Sequence, residues 1–282
     1  MAPKPPITVA LVGRTFAAWL VTLLLFFPLG WLVLTAFKTE KQAISVPPLL
    51  VFMPTLENFA EVQQRSDYLL FATNSVITSV VSTLLGLAIA FPAAYSMAFF
   101  RGKWTRDLLM WMLSTKMMPA VGALVPIYVL AQTAGLLDTR LALIIVFMLS
   151  NLPIMVWMLY SSLKDIPHEI LEAARMDGAG SWRIFQYMTL PHLRQYLELG
   201  IVLGSIYLVQ TFDAIFMITS GGPGQQTTNL PFYIYETAFR AFNIGRASAM
   251  GVVVVVATIA IATFALRVVS GLFSDEGMEG RL

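Results

Sequence analysis

The sequence predicts an all-α membrane protein with six transmembrane helices, arranged as a single domain over residues 1–282. Of the 282 residues, 57% are hydrophobic and 12% are charged, and the mean hydropathy is +0.74. A soluble domain carries about 25% charged residues, so most of this chain cannot present a water-facing surface. A helix that crosses a hydrocarbon layer of roughly 30 Å needs about 20 apolar residues. Apolar stretches of that kind predict spans at about 14–37, 71–99, 108–131, 141–162, 197–219 and 246–270.

The composition also excludes several classes of function. The net charge is +2 and the basic residues are scattered, which argues against a nucleic-acid-binding protein. With no cysteine and two histidines, the chain is not expected to form disulfides, a catalytic thiolate or a metal site. A membrane enzyme would need a clustered nucleophile and base, and His168 and His192 have no such neighbours in the sequence. The protein is therefore not predicted to be an enzyme.

The distribution of lysine and arginine predicts the orientation. Six spans place both termini on one side, and the side richer in basic residues near the helix ends is normally cytoplasmic. Eleven basic residues fall on the side of the termini and six on the other, so the loop at 163–195 is predicted inside and the connection from 38 to 67 outside. The first apolar stretch is too long for the core of a signal peptide, so we predict that it is retained as a span. The inner set is Lys4, Arg14, Arg101, Lys103, Arg106, Lys164, Arg175, Arg183, Arg194, Arg267 and Arg281; the outer set is Lys38, Lys41, Arg65, Arg140, Arg240 and Arg246.

Two predicted spans each contain an ionisable residue. The third is continuous only if it accepts Lys116, and the fifth only if it accepts Asp213. Such groups are costly in a membrane and normally face the bundle interior or a wet cavity. A Lys116–Asp213 pair is one hypothesis, with Asn151 and Gln210 as polar neighbours. These four residues are the candidate substrate-pathway residues, and the alternative is that they only bond adjacent helices.

The inner loop at 163–195 is predicted to form two short helices joined by a bend. Pro167 is typical of a first helical turn, and Gly178 and Gly180 are expected to end the first helix, Gly178 with a positive backbone angle. Ser181 is a candidate cap for the second helix, and Pro191 is expected to end that helix before the fifth span. An ordinary cytoplasmic helical hairpin would show much of the same pattern.

A longer motif within this loop resembles the motif of a known protein family. Glu172-Ala173-Ala174 is followed after three residues by Gly178, then by Met188 and by Leu190-Pro191. This spacing resembles the EAA loop of permease subunits in ATP-binding-cassette (ABC) importers, with Met188 in place of the usual isoleucine. Its place between the fourth and fifth of six spans matches that family. The resemblance implies that an ATPase subunit docks on Glu172, Ala173, Ala174, Asp177 and Gly178.

The resemblance also implies the partners and the cellular location. The chain has no glycine-rich Walker loop, so ATP and Mg would be bound by two separate ATPase subunits and no cofactor by this chain. A second permease subunit, expected to be a different chain, and an external solute-binding protein would complete the transporter. The expected location is the bacterial inner membrane, with lipid around the spans and both termini cytoplasmic.

The solute is predicted to be a sugar or a sugar alcohol. The segment Thr115–Pro119 resembles polyol and mannitol-type permeases, and the segment from Ser220 to Pro231 resembles an outer loop of sugar permeases. Aromatic faces such as Trp157 or Tyr207 suit a polyhydroxy solute. A secondary transporter for a small polar solute is the alternative, and it would leave the inner loop unexplained. Dependence of uptake on ATPase and binding-protein subunits distinguishes the two.

Overall fold

The structure, a computed structural model, describes residues 9–64, 67–100 and 102–272. Lys4, Arg65, Arg101 and Arg281, which entered the count of basic residues, lie outside this range. Every regular element in the described part is helical. The helices are α1 Val9–Ala36, α2 Glu40–Ala43, α3 Glu57–Gln64, α4 Tyr68–Phe99, α5 Thr105–Lys116, α6 Ala120–Thr133, α7 Arg140–Lys164, α8 His168–Met176, α9 Ser181–Ile184, α10 Leu190–Val209, α11 Asp213–Ile218, α12 Leu230–Tyr235 and α13 Ile244–Leu272, with π-helical turns at Phe185–Thr189 and Glu236–Arg240.

Within the part of the chain that the structure describes, four helices are long and apolar enough to cross a membrane, namely α1, α4, α7 and α13. They correspond to the predicted first, second, fourth and sixth spans. The predicted third and fifth spans are not continuous helices. Each consists of two shorter helices, α5 with α6 and α10 with α11.

The chain contacts divide the protein into two compact units. The first contains residues up to 66 together with 234–255, and the second contains 67–233 together with the residues from 256 onward. The prediction of one domain over residues 1–282 therefore stays a prediction. In the first unit, the Asn58 amide donates to the carbonyls of Ala36 at 2.9 Å and Lys38 at 2.7 Å, which fixes α3 against the end of α1. The Glu40 carboxylate accepts from Ile244 and Gly245 N–H, both at 2.8 Å, and caps α13.

The second unit is built around the close packing of α4 against α7 and α10. Small residues recur every fourth position along the buried face of α4, so one side of the helix lets a neighbouring backbone approach. Met155 of α7 fills that space, since a Cβ at position 86 would lie 3.0 Å from its sulfur. This stripe consists of Gly86, Ala90, Ala94 and Ala98.

Enlarging the stripe is expected to destabilise the second unit. Ala94 is fully buried, so Ala94→Leu adds methylene groups to a packed interface and should cost about 1–3 kcal/mol. Ala88 lies on the exposed face of the same helix, which makes Ala88→Leu the matched control. Thermal unfolding of the purified protein in one detergent measures both. Equal midpoints for the two variants would show that this face is not tightly packed.

The interruption of the predicted third span lies at Met117–Pro119. Proline disfavours helical backbone at the residue before it and has no N–H to donate, so α5 ends at Lys116 and α6 starts after Pro119. The predicted fifth span breaks at Gln210–Phe212, where the Asn229 amide donates to the Thr211 carbonyl at 2.7 Å. A side chain from a distant loop thus binds a carbonyl that the helix break leaves available.

The inner loop differs from its prediction in two places. Gly180 rather than Ser181 is the N-cap of α9, and Ser181 is the first helical residue. Pro191 does not end a helix: the chain stays helical from Ser181 to Val209, through the π-helical turn at Phe185–Thr189. Leu190 N–H bonds the Phe185 carbonyl five residues back. This wider turn lies directly before the proline, where an α-helical ladder would lack a donor.

Candidate functional sites

A cavity of about 450 Å³ lies between the end of α5, α7 and α10. Its volume is in the range of pockets that hold small molecules. The residues from α7 recur at intervals of three and four and so share one face, and those from α10 do the same. The lining consists of Lys116, Asn151, Ile154, Met155, Met158, Leu199, Gly200, Leu203, Gly204 and Tyr207.

Lys116 contributes a cation to this cavity. It is the last residue of α5, directly before the helix break, and its side chain is exposed. Its Nζ donates to the Ser150 carbonyl at 2.7 Å and lies 5.5 Å from the ring centroid of Tyr207. No ion pair joins Lys116 to Asp213 among the described residues, where the amine bonds a carbonyl of α7 instead. Lys116 can therefore hold a carbonyl and still offer hydrogen bonds to a ligand.

Asn151 contributes an amide to the cavity from α7. The residue is 4% exposed, and its Nδ2 has no hydrogen-bond partner among the described residues. The Oγ1 of buried Thr83 also has no hydrogen-bond partner among the described residues. The side chains of Asn151 and Thr83 both lie close to Gly204. Buried polar groups are usually paired, so these two groups are candidates for bonds to a ligand or to water.

The other two candidate pathway residues lie outside the cavity lining. Gln210 is the C-cap of α10 and is exposed, and Asp213 is the exposed first residue of α11. The structure therefore brings Lys116 and Asn151 together but not Gln210 and Asp213. Of the two aromatic residues singled out from the sequence, Tyr207 lines this cavity. Trp157 lies at a different one, between the start of α5 and the end of α7.

The loop at 163–195 presents a second candidate surface, which we call the coupling surface after the role predicted for it and define by residues 172–178. Leu171 is buried and anchors α8 in a cluster with Leu163 and Ile184. The next residues point outward: Glu172, Ala173, Asp177 and Gly178 are exposed, whereas Ala174 is half-buried against that cluster. Gly178 has φ +83°, which confirms the predicted positive angle.

Large apolar side chains are exposed within the coupling surface and in the helix that follows it. Met176 is 89% exposed, Trp182 is 66% exposed and Tyr187 is 64% exposed. They lie beside charged residues on α8 and the helix that follows it. An anchored, amphipathic helix with exposed aromatic and aliphatic groups is typical of a protein-binding surface.

Comparison with known proteins identifies the family. Residues 86–273 match the family described as binding-protein-dependent transport system inner membrane component. The chain belongs to this family. It is an inner-membrane transport permease rather than an enzyme, and the predicted membership among ABC importer permeases is confirmed.

Three known proteins illustrate the similarity. The permease is 32% identical to the probable ABC transporter permease protein y4oR of Sinorhizobium fredii. The match extends over 212 residues, which are 73% of this chain and 74% of that protein. It is 29% identical to the sulfoquinovosyl glycerol transport system permease protein SmoH of Agrobacterium fabrum, over 95% of this chain and 93% of that protein. A chain in the crystal structure of a bacterial ABC transporter for import of the acidic polysaccharide alginate shares the fold, with a TM-score of 0.71 and 18% identity, over 96% of this chain and 100% of the other.

Sequence reasoning missed one feature of this permease, the glycines on the cavity wall. A Cβ at position 200 would lie 3.1 Å from Met158 Cε, and one at position 204 would lie 3.3 Å from Asn151 Nδ2. Both glycines therefore allow side chains of α7 to lie close to α10. The spacing of Gly200 and Gly204 in an apolar helix was the available signal, because small residues four apart mark close helix packing in membranes.

Proposed function

We propose that this permease forms the translocation pathway for a sugar or a sugar alcohol, with a sugar alcohol favoured. The observation that carries the proposal is the cavity at the break between α5 and α6, where Lys116, Asn151 and Tyr207 meet. An amine, a free amide and an aromatic ring supply the donors and the flat surface that a polyhydroxy solute needs. The name of SmoH, a permease of a sulfoquinovosyl glycerol system, supports a glycosidic or polyol substrate. The Thr115–Pro119 motif supports the polyol.

Transport is driven by ATP hydrolysis on separate subunits in this proposal. The coupling surface docks on one of two ATPase subunits, which bind ATP and Mg, and an external binding protein delivers the solute. The exposure of Glu172, Ala173, Asp177 and Gly178 supports this role, since a docking surface must be accessible. A second permease subunit, a different chain, completes the pathway. The family description itself specifies dependence on a binding protein.

The membrane arrangement is proposed to have six spans, with α5–α6 and α10–α11 as interrupted spans. Discontinuous helices are tolerated where they line a cavity, and both interruptions lie within the second unit. Both termini and the coupling surface then face the cytoplasm, and α2 and α3 lie outside. The eleven-to-six distribution of basic residues supports this orientation.

Labelling with a membrane-impermeant maleimide tests the orientation. The chain has no cysteine, so Glu57→Cys and Glu169→Cys each introduce a single thiol at an exposed site. In intact spheroplasts we expect labelling of Glu57→Cys alone, and in permeabilised membranes we expect labelling of both. Labelling of Glu169→Cys in intact spheroplasts would reverse the orientation and remove the basis for docking.

The interrupted helices also fit a second candidate function, secondary transport, because secondary transporters bind their substrates at broken helices. Reconstitution decides between them. Proteoliposomes with both permease chains, the ATPase subunits and the binding protein should accumulate sorbitol or mannitol with ATP, and should stop when either partner is omitted. Uptake by the permease alone under a sodium or proton gradient would contradict the proposal.

A further inference from the structure

A second cavity, of about 370 Å³, lies where α5 begins and α7 ends. It is separate from the solute cavity in its lining, and we call it the basic cavity. The two helices pack against each other and run in opposite directions, so the start of one lies beside the end of the other. The lining consists of Gly102, Lys103, Thr105, Arg106, Leu109, Met110, Trp157, Tyr160 and Lys164.

The lining is charged at one end and apolar at the other. On α5, Arg106 precedes Leu109 and Met110 by about one turn, so the three share a face. On α7, Trp157 and Lys164 also share a face, with the lysine about 10 Å further along the axis. Because the helices are antiparallel, the cations of both lie together at the helix ends. The apolar side chains of both lie together deeper along the helices.

The three cations are available to a ligand. Lys103, Arg106 and Lys164 are exposed, and within residues 102–272 none of them forms an ion pair. Lys164 Nζ lies 5.8 Å from the ring centroid of Tyr160, inside the same lining. Asp107 and Asp165 are neighbours in sequence, but neither lines the cavity. Three close positive charges without a partner favour an anionic group.

We propose that the basic cavity binds an anionic phospholipid, with the phosphate held by Lys103, Arg106 and Lys164. The apolar end distinguishes a lipid from a soluble phosphate, because only a lipid continues into the contacts offered by Leu109, Met110 and Trp157. Trp157 and the 76%-exposed Trp104 are of the kind that mark the membrane interface. Basic pockets between membrane helices on the cytoplasmic side suit such headgroups. The ligand would join α5 to α7 at the end opposite Lys116.

This proposal rests on the chain being a membrane permease, on the pairing of α5 with α7, and on the proposed orientation that places this end of the two helices at the cytoplasmic side. It does not depend on the identity of the solute or on docking of an ATPase subunit. A negative result in the transport test would therefore not contradict the lipid site. A negative result for the lipid site would not contradict the proposed transport function.

Native mass spectrometry of the full transporter, purified through a tag on this chain, tests the site. Phosphatidylglycerol and phosphatidylcholine with identical acyl chains are titrated separately, with glycerol 3-phosphate as the soluble probe. We expect phosphatidylglycerol to bind at least tenfold more tightly than phosphatidylcholine. We also expect the variant Lys103→Gln/Arg106→Gln/Lys164→Gln to lose that preference. Glycerol 3-phosphate is expected not to compete at equal concentration.

The matched control removes three basic residues elsewhere, in the variant Lys41→Gln/Arg140→Gln/Arg240→Gln, which should keep the preference. The comparison of the two lipids on the wild-type transporter tests the proposal by itself, so the test does not depend on whether the triple variant folds. Equal binding of both lipids by the wild type would overturn the proposal. An unchanged preference in the first triple variant, or full competition by glycerol 3-phosphate, would overturn it as well.

Discussion

Replacing Gly178 with serine is expected to uncouple the permease from its ATPase subunits. Gly178 has φ +83°, a conformation in which a side chain costs about 1–2 kcal/mol. Apart from the two chain neighbours, no atom of the described residues lies within 4 Å of the site where a Cβ would be placed, so the cost is one of backbone conformation alone. The backbone would relax by shifting the end of α8, which carries the coupling surface. In the reconstituted transporter we expect about tenfold lower solute-stimulated ATP hydrolysis, with binding-protein capture retained.

Gly180→Ser provides the matched control two residues away. Gly180 has φ −67°, is the N-cap of α9 and also has open space at its Cβ position, so serine is favourable there. Glu172→Ala should reproduce the defect of Gly178→Ser by removing an exposed carboxylate, without lowering the thermal midpoint. Wild-type hydrolysis in both Gly178→Ser and Glu172→Ala would mean that the motif has no role in coupling.

Lys116→Met is expected to impair solute transport while the transporter still assembles. The substitution removes the cation of the solute cavity and its 2.7 Å bond to the Ser150 carbonyl. Hydrogen bonds to charged groups contribute about 1.5–3 kcal/mol, so we expect uptake at limiting solute to fall by about 10- to 100-fold. Radiolabelled uptake in proteoliposomes measures the change, and copurification of the other subunits checks assembly.

Two further variants test whether the effect of Lys116→Met is specific to the solute cavity. Asp213→Asn removes the charge at the start of α11, which lies outside the cavity lining, and is expected to have a smaller effect. Lys41→Met removes an exposed lysine of the first unit and should leave uptake unchanged. Normal uptake by Lys116→Met would exclude Lys116 from the pathway. A defect in Asp213→Asn as large as that of Lys116→Met would instead restore the pathway role predicted for Asp213 from the sequence.

The sequence by itself determined the features that depend on neighbours in the chain. Apolar length predicted the four long helices, because the cost of an unpaired backbone in lipid leaves helix as the available form. The turn at Gly178 was equally predictable, since glycine alone adopts a positive φ without penalty. The family, too, followed from local spacing, because the residues of the EAA motif lie within one short loop.

Only the tertiary structure decided which helices meet and therefore what each polar residue contacts. Lys116 bonds a carbonyl of α7 rather than Asp213, and Asn229 reaches the break at Thr211 from a loop 18 residues away. Pro191 continues a helix because a wider turn precedes it. The basic cavity brings Arg106 of α5 and Lys164 of α7 together across two antiparallel helices. Helical periodicity fixes the face on which a residue lies, but the partner of that face is set by packing between segments far apart in the chain.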